Sequence, residues 1–210
     1  MSVTTYPQSP SNLGSNFASP SSATFVSNSF AKVPTRIASP GATLTAQEIP
    51  AVLDRLAELE VQAAQFHRIV AEAYCTQGRL ESALVHQESA VRMLPTSLEY
   101  QNQLGYLRYL TGDDSATSVF EDILRVDPRN GEAWYNLAMV RFGQNQFGEA
   151  ERAFARAAEL MPSDAETWNN LGVARFHNGR IAEAKACFER ALALDPTNDD
   201  ARQNLGDCLR

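Results

Sequence analysis

Past Pro50, apolar residues recur with a helical period, and no glycine or proline interrupts them before Gly78. Val52, Leu56, Leu59, Ala63, Phe66, Val70 and Ala73 alternate spacings of four and three, a coiled-coil seam over three heptads. Two expectations follow: the stripe covers the helices that come after it, which is the preferred reading, or it mediates self-association. Thr45 and Glu48 stand at capping-box spacing ahead of this helix, and Pro50 falls in its first turn, where a helix tolerates it. Beyond Gly78 the apolar pattern breaks into short amphipathic stretches. Turn signals at Gly78, Gly112, Asn145 and Gly179 split these stretches into pairs. Ser97, Asn130, Asp164 and Asn198 stand where the first helix of a pair begins, and all four are good N-caps.

Residues 1–44 carry no such period. Ten are serine, five threonine and five proline. A segment of that composition cannot bury enough apolar surface to offset the cost of ordering, so it reads as a disordered tail. Its Ser9-Pro10, Ser19-Pro20 and Ser39-Pro40 dipeptides suit proline-directed kinases, but such pairs are common and a plain tail is the simpler account.

The paired stretches repeat. Pro95, Pro128, Pro162 and Pro196 are separated by 33, 34 and 34 residues. The same interval of 34 relates Trp134 to Trp168, Leu137 to Leu171 and Leu205, Ala150 to Ala184, and Phe154 to Phe188. Several residue types keeping one period is the mark of a repeat array. Residues 131–164 (GEAWYNLAMVRFGQNQFGEAERAFARAAELMPSD) and 165–198 (AETWNNLGVARFHNGRIAEAKACFERALALDPTN) resemble consecutive tetratricopeptide repeats. They match the family pattern of Trp, Leu and a small residue in one helix, Ala, Phe and Ala in the next, and then Pro. Residues 98–130 keep Leu104, Gly105, Ala116, Phe120 and Pro128, with Gln101 in the tryptophan place. Residues 64–97 are weaker, with His67 and Gln87 where aromatics belong. Residues 199–210 hold a closing helix, and residues 45–63 a helix that continues into the first repeat. The resemblance implies an all-α fold, a right-handed superhelical solenoid of antiparallel helix pairs. Ala138, Gly172 and Gly206 are expected to let helices approach closely, and Trp168 to be buried.

In that family the first helices of the pairs line a concave groove that grips peptides. Carried onto this chain, the groove positions are Glu99, Asn102, Tyr106 and Tyr109, then Glu132, Tyr135, Met139 and Phe142, then Glu166, Asn169, Val173 and Phe176. The acids fall in first turns, where they also complement the helix dipole. Asn136, Asn170 and Asn204 recur beside them. This row is similar to the asparagine ladder of the enzyme that attaches N-acetylglucosamine to proteins, whose amides hold a peptide backbone. It is equally explained by asparagine being frequent at that place in the family. The strip Tyr109, Phe142 and Phe176 either offers stacking surface to a partner or packs inside the array. Arg108, Arg141 and Arg175 also align, and are expected to lie half-buried with their heads on acids or carbonyls. The carboxylate clamp of chaperone-binding relatives is not expected, because Arg68 and Glu72 stand where lysine and asparagine would be needed.

Charge and composition narrow the partners. The net charge is −7, and residues 45–210 carry 16 basic and 25 acidic residues, a formal −9. An acidic body argues against nucleic acid as the main partner. Neither a membrane-spanning stretch nor a secretory signal is expected. Cys75, Cys187 and Cys208 lack metal-type spacing and read as thiols of a reducing compartment, so a cytoplasmic protein is expected. A Ser-rich start without acids leaves organelle targeting as a minority alternative. No catalytic, metal or cofactor motif is expected: His67, His86 and His177 fall at unrelated places in different repeats. The expectation is a non-enzymatic scaffold or adaptor that binds a protein or peptide segment in its groove. The alternatives are a scaffold that self-associates through residues 52–73, or an accessory domain for a separately encoded enzyme.

Overall fold

The computed structural model describes residues 48–209. The tail at 1–44, its Ser-Pro dipeptides, the Thr45 cap and Arg210 lie outside the described residues. Among these, every regular element is helical: α1 (Glu48–Thr76), α2 (Leu80–Met93), α3 (Leu98–Leu110), α4 (Ala116–Val126), α5 (Gly131–Gly143), α6 (Phe147–Leu160), α7 (Ala165–His177), α8 (Ile181–Leu194) and α9 (Asp199–Asp207). Consecutive helices pack as antiparallel hairpins, and the hairpins stack in chain order. This is the all-α solenoid expected from the 34-residue period.

The four turns inside the hairpins share one geometry. Gly78, Gly112 and Gly179 have φ of 71, 75 and 76°, and Asn145 has 59°. Those are left-handed conformations that glycine adopts freely and asparagine tolerates. In each, the N–H after this residue reaches back five positions: Arg79 to Tyr74, Asp113 to Arg108, Gln146 to Arg141 and Arg180 to Arg175. These bonds satisfy helix-end carbonyls that would otherwise lack donors. The four N-caps also form: Ser97, Asn130, Asp164 and Asn198 accept from the N–H groups of Tyr100, Ala133, Thr167 and Ala201.

Phe120, Phe154 and Phe188 are the centres of three hairpins, each at most 1% exposed. They press against the small residues of the partner helix. A Cβ on Gly105 would stand 2.8 Å from Phe120, and one on Gly172 would stand 2.5 Å from Phe188. Gly206 differs from the expectation: no atom lies within 4 Å of a Cβ built there, because no second helix follows α9 among the described residues. In the first hairpin Gln87 holds the phenylalanine place. It is fully buried, and its amide donates to the Tyr100 carbonyl and to Gln103 Oε1 at 2.9 and 3.1 Å.

The tryptophan place serves the turn before it more than the core. Trp134 and Trp168 are half-buried, and their indole N–H groups donate to the carbonyls of Pro128 and Pro162 at 3.0 and 3.1 Å. The expected burial of Trp168 is therefore partial. Gln101 and Arg202 make the same bond to Pro95 and Pro196, at 2.5 and 2.6 Å.

The preferred reading of the α1 stripe fails over most of its length, with only Ala63 and Val70 of its members half-buried. Ala64, Ala71 and Cys75 face the array and are buried, with His67 and Arg68 half-buried beside them. Val52, Leu56, Leu59 and Phe66 remain 38, 51, 46 and 61% exposed. Close packing in the first hairpin is made by alanine against alanine, Ala64 and Ala71 opposite Ala83 and Ala90, and the bulky seam points elsewhere.

Candidate partner-binding face

Helices α3, α5, α7 and α9 lie side by side and present the groove positions as four strips. The acidic strip is open: Glu99, Glu132 and Asp200 are exposed and Glu166 is half-buried. On the far side, about ten residues or roughly 15 Å along each helix, Tyr109, Phe142 and Phe176 are half-buried. Between these edges the floor is closed by the chain itself. Asn102, Asn169, Tyr106, Met139 and Val173 are all buried, and Tyr135 is half-buried.

Hydrogen bonds stitch the floor together. Asn136 Nδ2 donates to Asn102 Oδ1 at 3.1 Å, and Asn102 Nδ2 donates to Glu132 at 3.1 Å. One repeat on, Asn170 Nδ2 donates to the Tyr135 hydroxyl at 2.8 Å, and that hydroxyl donates to Glu166 at 2.6 Å. One further, Asn204 Nδ2 donates to Asn169 Oδ1 at 3.1 Å. The same two positions meet at every step, giving one rung per pair of neighbouring helices. Burial, aided by the Glu166 charge and its hydrogen bond, raises the Tyr135 hydroxyl well above the ordinary tyrosine value, so it stays a donor.

The asparagine row is thereby moved from the groove to the joints between helices. Asn136, Asn170 and Asn204 are 1, 8 and 2% exposed, with their amides bonded to the preceding repeat. The reason is directional. The row lies one residue, about 100° of helix turn, beyond the groove strip, and so faces the neighbour more than the groove.

The aromatic edge has a feature the sequence reading missed. Phe142 meets Phe147 and His177 edge-on at 5.1 and 5.2 Å, and Phe147 stacks on His177 at 4.5 Å. Phe147 opens α6 and His177 closes α7, so three helices contribute. Partial burial of its ring in this cluster holds the His177 imidazole below its ordinary value. Phe147 was legible only as an aromatic beside a turn.

The aligned arginines behave as expected. Arg108 bonds Glu88 at 3.3 Å and lies 3.8 Å from Asp113; Arg141 bonds Glu121 at 2.8 Å and lies 3.5 Å from Glu149. Arg175 bonds Glu151 at 3.3 Å and lies 4.0 Å from Glu183. Arg141 and Arg175 each join the second helix of the preceding hairpin to the helix paired with their own, and Arg108 joins α2 to the turn before α4. Glu151 is 8% exposed and also accepts from Arg180 and from Asn178, the latter at 2.7 Å. Elsewhere, burial and the Glu72 charge push the Cys75 thiol up to about 11. Burial also raises Cys187, although Arg175 donates to its sulfur at 3.1 Å. These are packing thiols, not nucleophiles. Among the described residues no group of three or more His, Cys, Asp or Glu side chains is placed to hold a metal. No described helix is long and apolar enough to cross a membrane.

Stacked helical hairpins joined by a polar ladder and a row of arginines define a helical-repeat scaffold. The tetratricopeptide repeat family matches residues 114–174 and again residues 165–198. Residues 114–198 of the chain are therefore tetratricopeptide repeats, a kind of array that generally serves as a protein-interaction scaffold. Among solved structures the chain is similar to MamA from Desulfovibrio magneticus RS-1, at 24% identity and a TM-score of 0.62 over 70% of this chain and 83% of that one. It is also similar to PilF of Pseudomonas aeruginosa, at 22% identity and a TM-score of 0.65 over 71 and 69%. YrrB, described as a repeat protein with an unusual peptide-binding site, shares 25% identity and a TM-score of 0.55 over 68% of this chain and 74% of that one. A mouse aspartyl/asparaginyl beta-hydroxylase is 31% identical over 74 residues. That match covers 35% of this chain, which spans about a tenth of that curated relative.

Proposed function

We propose that the chain is a non-catalytic adaptor that binds an extended segment of a partner protein across its concave face. The observation that carries this is an open acidic edge and a half-buried aromatic edge on either side of a closed floor. With the asparagines committed to the ladder, the surfaces left for a partner are the aromatic edge (Tyr109, Phe142, Phe176, with Phe147 and His177) and the acidic edge (Glu99, Glu132, Asp200). An extended chain advances about 3.3 Å per residue and packed helices stand about 8–10 Å apart, so roughly every third partner residue meets the next repeat. The favoured segment places apolar side chains on the aromatic edge and a lysine or arginine toward the acids. The peptide-binding site in the description of YrrB supports the same kind of use.

The test is affinity capture with the wild type against Phe142→Ala/Phe176→Ala, each checked for retained helicity. Captured partners are expected to fall at least tenfold for the variant, and to bind again as short peptides containing apolar and basic residues. Equal capture by both proteins would sink the proposal.

A further inference from the structure

The seam on α1 is open where the rest of the array is closed. Every residue from Ile49 through Gln62 is exposed, and the first buried side chain of the helix is Ala64. About 21 Å of helix therefore stands clear of the hairpin behind it. A bare helix of this length is marginal in water, and its apolar stripe calls for a cover. Residues 49–66 carry three acids and Arg55 alone as a basic residue, the wrong sign for a membrane-surface helix.

The flanking charges say what the cover is. With Ile49 and Leu56 at heptad position a and Val52, Leu59 and Phe66 at d, Arg55 falls at g and Glu60 at the following e. In a parallel pair of identical helices, g faces the e that follows on the other strand, so Arg55 meets Glu60 of the second copy twice by symmetry. In an antiparallel pair at the matching register, Arg55 would flank Gln62 and Glu60 would flank Leu53, leaving both charges unmatched. Arg55 now bonds Glu58 at 2.7 Å with both side chains about half exposed or more, a surface pair easily exchanged. The buried residues Ala64, Ala71 and Cys75 lie at b and f, so α2 sits on the flank, and of the seam over 49–66 only Ala63, at a, is half-buried.

We infer that a second copy of this chain covers the seam, through a parallel coiled coil of α1 over residues 49–66. The groove and the seam use different helices, so the dimer presents two partner-binding faces at once.

Sedimentation of the full chain over a concentration series tests this. The expected mass is twice 23.1 kDa, and Leu56→Glu/Leu59→Glu should give a helical monomer. Arg55→Glu or Glu60→Arg alone should each raise the dimer Kd about tenfold, since each sets two like-charged pairs face to face. Mixing those two single variants should restore tight association as a heterodimer. Leu59→Cys should oxidise to a symmetric disulfide, because a parallel seam brings the two d positions together. A monomer at all concentrations would overturn the inference. So would a dimer that ignores the charge exchange or leaves Leu59→Cys reduced.

Discussion

At the residue scale, the place usually held by tryptophan is defined here by a donor rather than by a ring. Gln101, Trp134, Trp168 and Arg202 share no shape, yet each donates to the carbonyl of the proline six residues earlier. This explains why residues 98–130 form a regular hairpin although their sequence departs from the pattern at Gln101. Gln87 makes a parallel point, filling a core place with an amide whose donor is satisfied twice. A titration follows from Cys75. Its thiol ionises near 9.0 when exposed and at about 11 in the fold, so the unfolded chain releases the proton first. The stability it contributes is complete below about pH 9 and is lost as pH rises toward about 11. Urea unfolding midpoints should fall across that window, and Cys75→Ala should flatten the decline. An equal slope in both proteins would remove Cys75 as its source.

At the element scale, helix pairing depends on whether a small residue has a partner to admit. Gly172 and Gly206 hold the same place in α7 and α9, yet only Gly172 lies under a phenylalanine. Gly172→Ala should destabilise by about 1–3 kcal/mol through overpacking against Phe188. Gly206→Ala should be neutral or stabilise by up to about 1 kcal/mol, the ordinary helix preference for alanine. Thermal melts of the two variants separate these outcomes, and similar losses in both would contradict the packing account. The turns, N-caps and phenylalanine centres of these elements were legible in the sequence, because each rests on local chemistry at a fixed offset. The exposure of Val52, Leu56 and Leu59 was not. Bulk and period suggest a buried stripe, whereas the hairpin selected Ala64 and Ala71 because alanine lets two helix backbones come close. The direction of the asparagine row was also hidden. One residue of offset turns a side chain from the groove toward the neighbouring helix, and only the packed array says which face is which.

At the scale of the molecule, the joints between hairpins are unequal. Glu151 gathers Arg175, Arg180 and Asn178 at the α6–α7 joint and is nearly buried, while Glu88 at the α2–α3 joint bonds Arg108 with its side chain 40% exposed. Truncating Glu151 to alanine should cost about 1–3 kcal/mol, because three donors lose a shielded acceptor. The same change at Glu88 should cost less than about 1 kcal/mol, as exposed pairs do. Hydrogen exchange should show faster opening of α6 and α7 in the first variant and little change in the second. Arrays of this kind open locally because each repeat touches only its neighbours, so the two effects should stay near their own joints. The arginine bias of the chain, 16 against 2 lysines, has a partial account in these joints, where a planar, multi-donor head serves two acids.

The ladder of Asn102–Asn136, Tyr135–Asn170 and Asn169–Asn204 has a mechanical meaning. Drawn out from its two ends, a stack of hairpins lengthens by parting neighbouring hairpins, and these bonds lie across the gaps that would part. At each gap a rung shares the load with the apolar contacts of the same joint, while the joints themselves lie in series. The array should yield one joint at a time, rung and apolar contact together, in steps as long as the spacing of its hairpins.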